Sequence, residues 1–131
     1  MLTLDTSGVL AAADKRDRLY KAVTAAIRAY PSMVIPAEIL AETTFMLRRR
    51  LGPMVERAFL EGLVDGEPLV DHVARFERIV SLVSKYDDLG LSFADAAVVA
   101  CAERHGGTIL TLDRRDFDVV ARGEGSITLV P

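Results

Sequence analysis

Apolar and polar positions alternate along the chain in two periods, and the change from one to the other marks out the elements. Leu2 to Leu4 predicts a short strand ending at Asp5. The helix that follows carries Leu19, Val23, Ala26 and Ile27 at helical spacing until Tyr30-Pro31 stops it. Met33 to Ile35 reads as a second strand. Pro36 can start a helix holding Ile39, Leu40, Thr43 and Leu47, because the N–H that proline lacks has no helical partner at that position anyway. Gly52-Pro53 parts this helix from another with Val55, Phe59 and Leu63, and the two are expected to form an α-hairpin insertion. Leu69-Val70 is a brief strand. The amphipathic run Val73, Phe76, Val80 and Val83 then predicts a helix that breaks at Asp87-Asp88-Leu89-Gly90. Ser92 begins the next helix and Gly106-Gly107 ends it. Thr108 to Leu112 supplies a β-branched strand, Phe117 to Ala121 a short helix, and Ile127 to Val130 a final strand.

The resulting order, βαβααβααβαβ, contains no low-complexity linker and no repeat. Strands that alternate with helices point to an α/β fold, a mainly parallel central sheet flanked by helices in α/β/α layers. A chain of 131 residues fits one domain, 1–131, which buries roughly two thirds of the surface its unfolded form exposes. Half the residues are apolar, yet Ala96 to Ala102 is a stretch of only seven, against about 20 for a membrane span. A soluble protein with no membrane partner is expected. The amino terminus reaches Asp5 without a basic segment followed by an apolar one, so no signal peptide and a cytoplasmic location are expected. The single cysteine, Cys101, sits among alanines and valines, which favours a reduced compartment and a buried thiol.

The formal net charge of −3 gives no sign of the basic stripe that usually marks nucleic-acid binding. Local patches exist nonetheless: Arg48 to Arg50, Arg114-Arg115, and Arg104 with His105. Each also has an ordinary explanation, since cations near a helix carboxyl end complement its dipole.

Four carboxylates carry more information. Asp5 and Asp113 follow apolar strands, Asp95 lies in the first turn after Ser92, and Glu42 lies one turn after Glu38. Taken singly, each has a structural reading: Asp5 as a helix cap, Ser92 to Asp95 as a capping box, Glu42 as a solvated helix face, Asp113 as a turn former. Taken together, three of the four fall where a parallel sheet gathers ligands, beyond the carboxyl ends of its strands. Crowded carboxylates repel one another and ionise together only when a cation neutralises them.

The segments Leu4-Asp5-Thr6-Ser7, Leu40-Ala41-Glu42, Leu91-Ser92-Phe93-Ala94-Asp95-Ala96 and Thr111-Leu112-Asp113-Arg114-Arg115-Asp116-Phe117 occur in an order and spacing that resembles the PIN-domain ribonucleases of the VapC-type toxin group. The resemblance covers nearly the whole chain. It implies a metal-dependent endoribonuclease, the toxin of a type II toxin-antitoxin pair, kept inactive by a cognate antitoxin and expected to be a homodimer. Asp5, Glu42, Asp95 and Asp113 match the acidic quartet, and Thr6 or Ser7 its small hydroxyl. Asp116 is an alternative to Asp113, and Glu38 a weaker rival to Glu42. Mg²⁺ or Mn²⁺ suits such oxygen donors, with Asp5 and Asp95 as the chief ligands. Arg48, Arg49, Arg114 and Arg115 are candidates for the RNA backbone, as is Arg50. A PIN-like module that binds without cleaving is the alternative.

Other chemistries lack their signatures. One cysteine with His72 and His105 makes no zinc site of common Cys/His spacing. No Gly-x-Ser-x-Gly elbow and no Gly-Lys-Ser/Thr loop is present. A phosphatase of the haloacid dehalogenase type expects a second acid where Ser7 stands, and a receiver domain expects a late strand-end lysine.

Overall fold

The computed structural model describes residues 1–131. Five strands are present: β1 (Leu2–Leu4), β2 (Met33–Pro36), β3 (Leu69–Asp71), β4 (Thr108–Leu110) and β5 (Thr128–Val130). Seven α-helices connect them: α1 (Thr6–Ala13), α2 (Tyr20–Arg28), α3 (Leu40–Leu51), α4 (Pro53–Val64), α5 (Phe76–Lys85), α6 (Phe93–Arg104) and α7 (Arg114–Glu124). All neighbouring strands pair in parallel, in the order β3-β2-β1-β4-β5. The fold class expected from the alternating pattern is therefore the observed one.

The strand β1 lies at the centre, in register with β4 through Leu2 and Thr108, Thr3 and Ile109, and Leu4 and Leu110. From β1 the chain moves outward through β2 to β3, then crosses back to β4 and on to β5. Parallel crossovers are right-handed, so α1 to α4 cover one face of the sheet and α5 to α7 the other. Strand order reverses beside β1, which opens a crevice between the carboxyl ends of β1 and β4.

The helix α6 supplies most of the packing on its face. Seven consecutive residues, Ala96 to Ala102, are buried, because the helix lies across β1, β2 and β4 with α5 on its other side. A helix apolar all round belongs inside. Leu2, Leu4, Ile35, Ile109 and Leu110 from the strands complete the core with Phe117 and Val120 of α7.

Several expected boundaries differ. Two helices, not one, join β1 to β2. Asp14 accepts the Arg16 N–H at 3.0 Å and Asp17 accepts that of Leu19 at 2.8 Å, and these Asp turns redirect the chain between α1 and α2. The pair α3 and α4 is the crossover from β2 to β3 rather than an insertion. The run Val73, Phe76 and Val80, expected to face the core, is exposed; α5 buries Ile79 and Leu82 instead. The helix α5 starts only at Phe76, because the Asp71 carboxylate takes the Val73 N–H at 2.9 Å and holds the chain in a turn. The last helix is longer than expected and ends at Gly125, whose φ of +70° suits the left-handed cap.

Candidate active site

Asp5 is the first residue past β1 and only 8% exposed. It stands at the N-cap position of α1, yet its carboxylate does not cap the helix. It accepts hydrogen bonds from Thr111 Oγ1 at 2.8 Å and Ser7 Oγ at 2.9 Å instead. Those two hydroxyls are themselves fixed: Ser7 Oγ accepts the Leu112 N–H at 2.9 Å, and Thr111 Oγ1 accepts the Asp113 N–H at 3.0 Å. The end of β4 is thereby tied to the end of β1. Close approach of α1 to β4 needs Gly8, since a Cβ there would lie 2.8 Å from the Leu110 carbonyl oxygen.

Asp95 arrives from α6. A helix between parallel strands runs antiparallel to them, so its amino end lies at the strands' carboxyl edge. Ser92 Oγ accepts the Asp95 N–H at 3.1 Å, which sets the start of the helix and leaves Asp95 half-buried. Glu42, in the first turn of α3, is exposed. The adjacent Thr43 anchors that turn: its hydroxyl meets Thr6 Oγ1 at 2.8 Å and donates to the Ile39 carbonyl at 2.9 Å. Asp113 sits at the N-cap position of α7, exposed and likewise without a side-chain cap bond.

Asp5, Glu42, Asp95 and Asp113 line one cavity of about 290 Å³, with Arg50 and Asp17 also on its wall. Asp116 lies outside that wall, although its charge reaches Asp95. Glu38 lines a different depression, beside Asp71 and Cys101. Asp17 carried no signal in the sequence beyond that of a turn residue. Thr111 lay inside a quoted motif, but its bond to Asp5 appears only once β4 pairs with β1.

Burial holds the Asp5 carboxyl above its ordinary value, and the Thr111 and Ser7 hydrogen bonds oppose that. Burial, followed by the charges of Asp5, Asp113 and Asp116, pushes Asp95 up to about 6. No lysine or arginine pairs with any of the five acids on the wall; the chain's ion pairs all lie elsewhere. A set of oxygen donors with uncompensated negative charge fits a hard divalent cation. The only trio of Asp, Glu, Cys or His donor atoms within 4.8 Å of one another is Asp71, Cys101 and His105, outside this cavity. The acids of the cavity are more loosely spaced, which suits an ion that keeps several waters and shares a phosphate.

The basic candidates divide. Arg50 faces the cavity. Arg48 pairs with Glu56 of α4 at 3.1 Å, and Arg114 donates to the Pro131 carbonyl at 2.6 Å and faces Asp118. Arg49 and Arg115 are exposed and form no ion pair.

Comparison with known proteins identifies the family and the fold. The profile of the PIN domain matches residues 2–123. Ribonuclease VapC26 of Mycobacterium tuberculosis is 34% identical over 135 residues, covering 99% of this chain and 100% of the relative. Among solved structures, VapC20 of Mycobacterium tuberculosis, described as a sarcin-ricin-loop-cleaving toxin, superposes with a TM-score of 0.81 at 22% identity, covering 100% of both chains. FitAcB from Neisseria gonorrhoeae gives 0.70 at 18% identity, covering 100% of this chain and 97% of the other.

Proposed function

The chain belongs to the PIN-domain family, and on that premise we propose that it is a divalent-metal-dependent endoribonuclease, the toxin of a type II toxin-antitoxin pair. One observation carries the reading: acids from four separate elements line a single cavity in which no protein cation pairs with them.

In this reading Asp5 and Asp95 hold Mg²⁺ or Mn²⁺. Such an ion, when bound, lowers the pKa of a coordinated water and offsets charge on the departing oxygen of a phosphodiester. Thr111 and Ser7 fix the Asp5 carboxylate so that its free lone pairs face the cavity. Glu42 and Asp113, the two exposed acids, orient the attacking water and receive its proton. Arg50 and the amino end of α6 engage the scissile phosphate. Arg49 and Arg115, with Arg48 and Arg114 nearby, contact the RNA backbone, which sets register without reading sequence.

A cognate antitoxin is the protein partner. The apolar cleft of about 470 Å³ between α1, α2 and the α3–α4 pair, lined by Val9, Ile27, Met54 and Phe59, supports docking of an amphipathic peptide segment. A homodimer is supported by a second apolar face, where Phe76 and Phe93 stack with ring centroids 6.4 Å apart. No helix is long and apolar enough to cross a membrane.

The test is RNA cleavage with Mg²⁺ or Mn²⁺ by the wild type, Asp5→Asn and Asp95→Asn. Both variants are expected to lose roughly 100-fold or more, the upper end of what outer-shell losses cost metal sites. Undiminished cleavage by either would refute the assignment.

A further inference from the structure

A second group of donors lies at the β3 edge of the sheet, away from the acidic cavity. Asp71 ends β3. Cys101 and His105 are four positions apart, on the last turn of α6 and its C-cap, so their side chains turn to one side. Donor atoms of the three residues all lie within 4.8 Å of one another, and His105 Nε2 is 3.1 Å from Asp71 Oδ2. Asp71 and Cys101 are buried and His105 half-buried, which leaves one side open to solvent.

The two oxygens of Asp71 have separate surroundings. Oδ1 accepts the Val73 N–H at 2.9 Å and faces Arg104 Nη1 at 3.5 Å, whereas Oδ2 meets His105, and the Cys101 thiol lies against the same carboxylate. Thr3 on the central strand is fully buried, and its hydroxyl makes no well-formed hydrogen bond, only a contact with the weakly polar Cys101 thiol. Arg104 Nη1 is also buried without a hydrogen bond. These are the only two such side-chain atoms in the protein, and both adjoin this cluster. Native interiors pair nearly all their polar groups, so their coincidence at one place is informative. An ion pair between Asp71, His105 and Arg104 would account for the carboxylate alone. It leaves the thiol only a weak hydrogen bond to the carboxylate, and the Thr3 hydroxyl only a contact with that thiol.

We infer that Asp71, Cys101 and His105 form a second metal site, for a borderline cation of the zinc class, which clamps the β3 edge to the end of α6. A carboxylate, a thiol and an imidazole are a donor set for Zn²⁺ and not for Mg²⁺, which takes oxygen. Tetrahedral bond lengths place ligand atoms roughly 3–4 Å apart, so the cluster needs only a slight contraction. On binding, the Cys101 S–H bond breaks, its proton passes to solvent, and thiolate and carboxylate together balance the dication. His105 binds through Nε2 as neutral imidazole. Arg104 stays on Asp71 Oδ1 as an outer partner, an arrangement that orients a ligating carboxylate. The site escaped the sequence because Asp71 joins the Cys-x₃-His pair only through the parallel pairing of β3 onto β2.

The test is titration of the full chain, freed of metal by EDTA, with Co²⁺ as a visible stand-in for zinc. Because the chain has a single cysteine, a near-ultraviolet thiolate-to-cobalt band reports Cys101 alone. A saturable one-to-one band, displaced by Zn²⁺ but not by Mg²⁺, is expected in the wild type and in Asp5→Asn. It should vanish in Cys101→Ser, and His105→Ala should weaken binding at least about 10-fold. In parallel, Zn²⁺ should raise the melting temperature of the wild type and of Asp5→Asn but not of Cys101→Ser. The half-exposed His105 position keeps the test decisive if the serine variant folds poorly. No band in the wild type, or an equal band in Cys101→Ser, overturns the inference. Loss of the band in Asp5→Asn would mean that the site is not independent of the acidic cavity, which overturns it too.

Discussion

Burial and the charges of Asp5, Asp113 and Asp116 push the Asp95 carboxyl up to about 6 from an ordinary 3.8, and the direction fixes what the folded protein gains and loses with pH. Between about pH 4 and 6 the native state of the metal-free protein binds more protons at this position than the unfolded chain. Its stability therefore falls as pH rises through that window and levels off above it. Asp95→Asn removes the penalty, and in EDTA at pH 7 the variant is expected to be roughly 0.5–2 kcal/mol more stable than the wild type, the usual size of a single stabilising substitution. Urea denaturation measures this, and equal or lower stability of the variant contradicts it. At this scale the sequence was informative where chemistry coincides with a local signal. Asp5 ends an apolar strand and Asp95 follows a capping serine. Thr111 and Asp17 had no such signal, because their places at the cavity depend on partners far along the chain.

The helices α5 and α7 are joined by a charged seam rather than by apolar contact alone. Glu124, with a side chain 8% exposed, accepts from Arg78 and Tyr86 and from Lys85 at 2.7 Å, while Arg78 also reaches Glu103 of α6 at 3.0 Å. Despite burial, which acts the other way, the hydrogen bonds of Lys85, Tyr86 and Arg78 draw the Glu124 carboxyl down to about 2 from 4.5. The folded value lies below the unfolded one, so this stabilisation is complete above about pH 4.5 and is lost as pH falls toward 2. Glu124→Gln is expected to cost about 1–3 kcal/mol at pH 7 and to flatten the acid limb of the stability curve. A wild-type-like midpoint in denaturant at neutral pH would count against the seam. Element boundaries followed the same logic of local against distant causes. The helix α6 was legible from Ser92 and Gly106-Gly107. The break between α1 and α2 was not, because Asp14 to Asp17 looks like a charged helix face until its side chains are seen folding back on their own backbone.

Across the whole molecule, periodicity announced parallel layers but not the order β3-β2-β1-β4-β5, which follows from crossover handedness and from register between strands distant in sequence. Nor could the pattern say that α5 turns Phe76 and Val80 outward, since the helix has apolar residues on both sides. Phe76 is 59% and Phe93 48% exposed, and that apolar face is where the proposed homodimer contact would lie. If the proposed homodimer forms through this face, Phe76→Glu is expected to leave a monomer in light scattering while changing monomer stability by about 0.5 kcal/mol or less, as for other exposed positions. A dimer that survives the substitution would place the contact elsewhere.

The central position of β1 has one more outcome, in how the enzyme comes into being. During synthesis β1 waits for β4, and the hydroxyl that fixes Asp5 belongs to a residue 106 positions downstream. Contacts so distant in sequence form late. A nascent or prematurely terminated polypeptide ending before Thr111 cannot assemble this pocket, so the machinery that synthesises the nuclease is not exposed to it in working form until that residue has emerged.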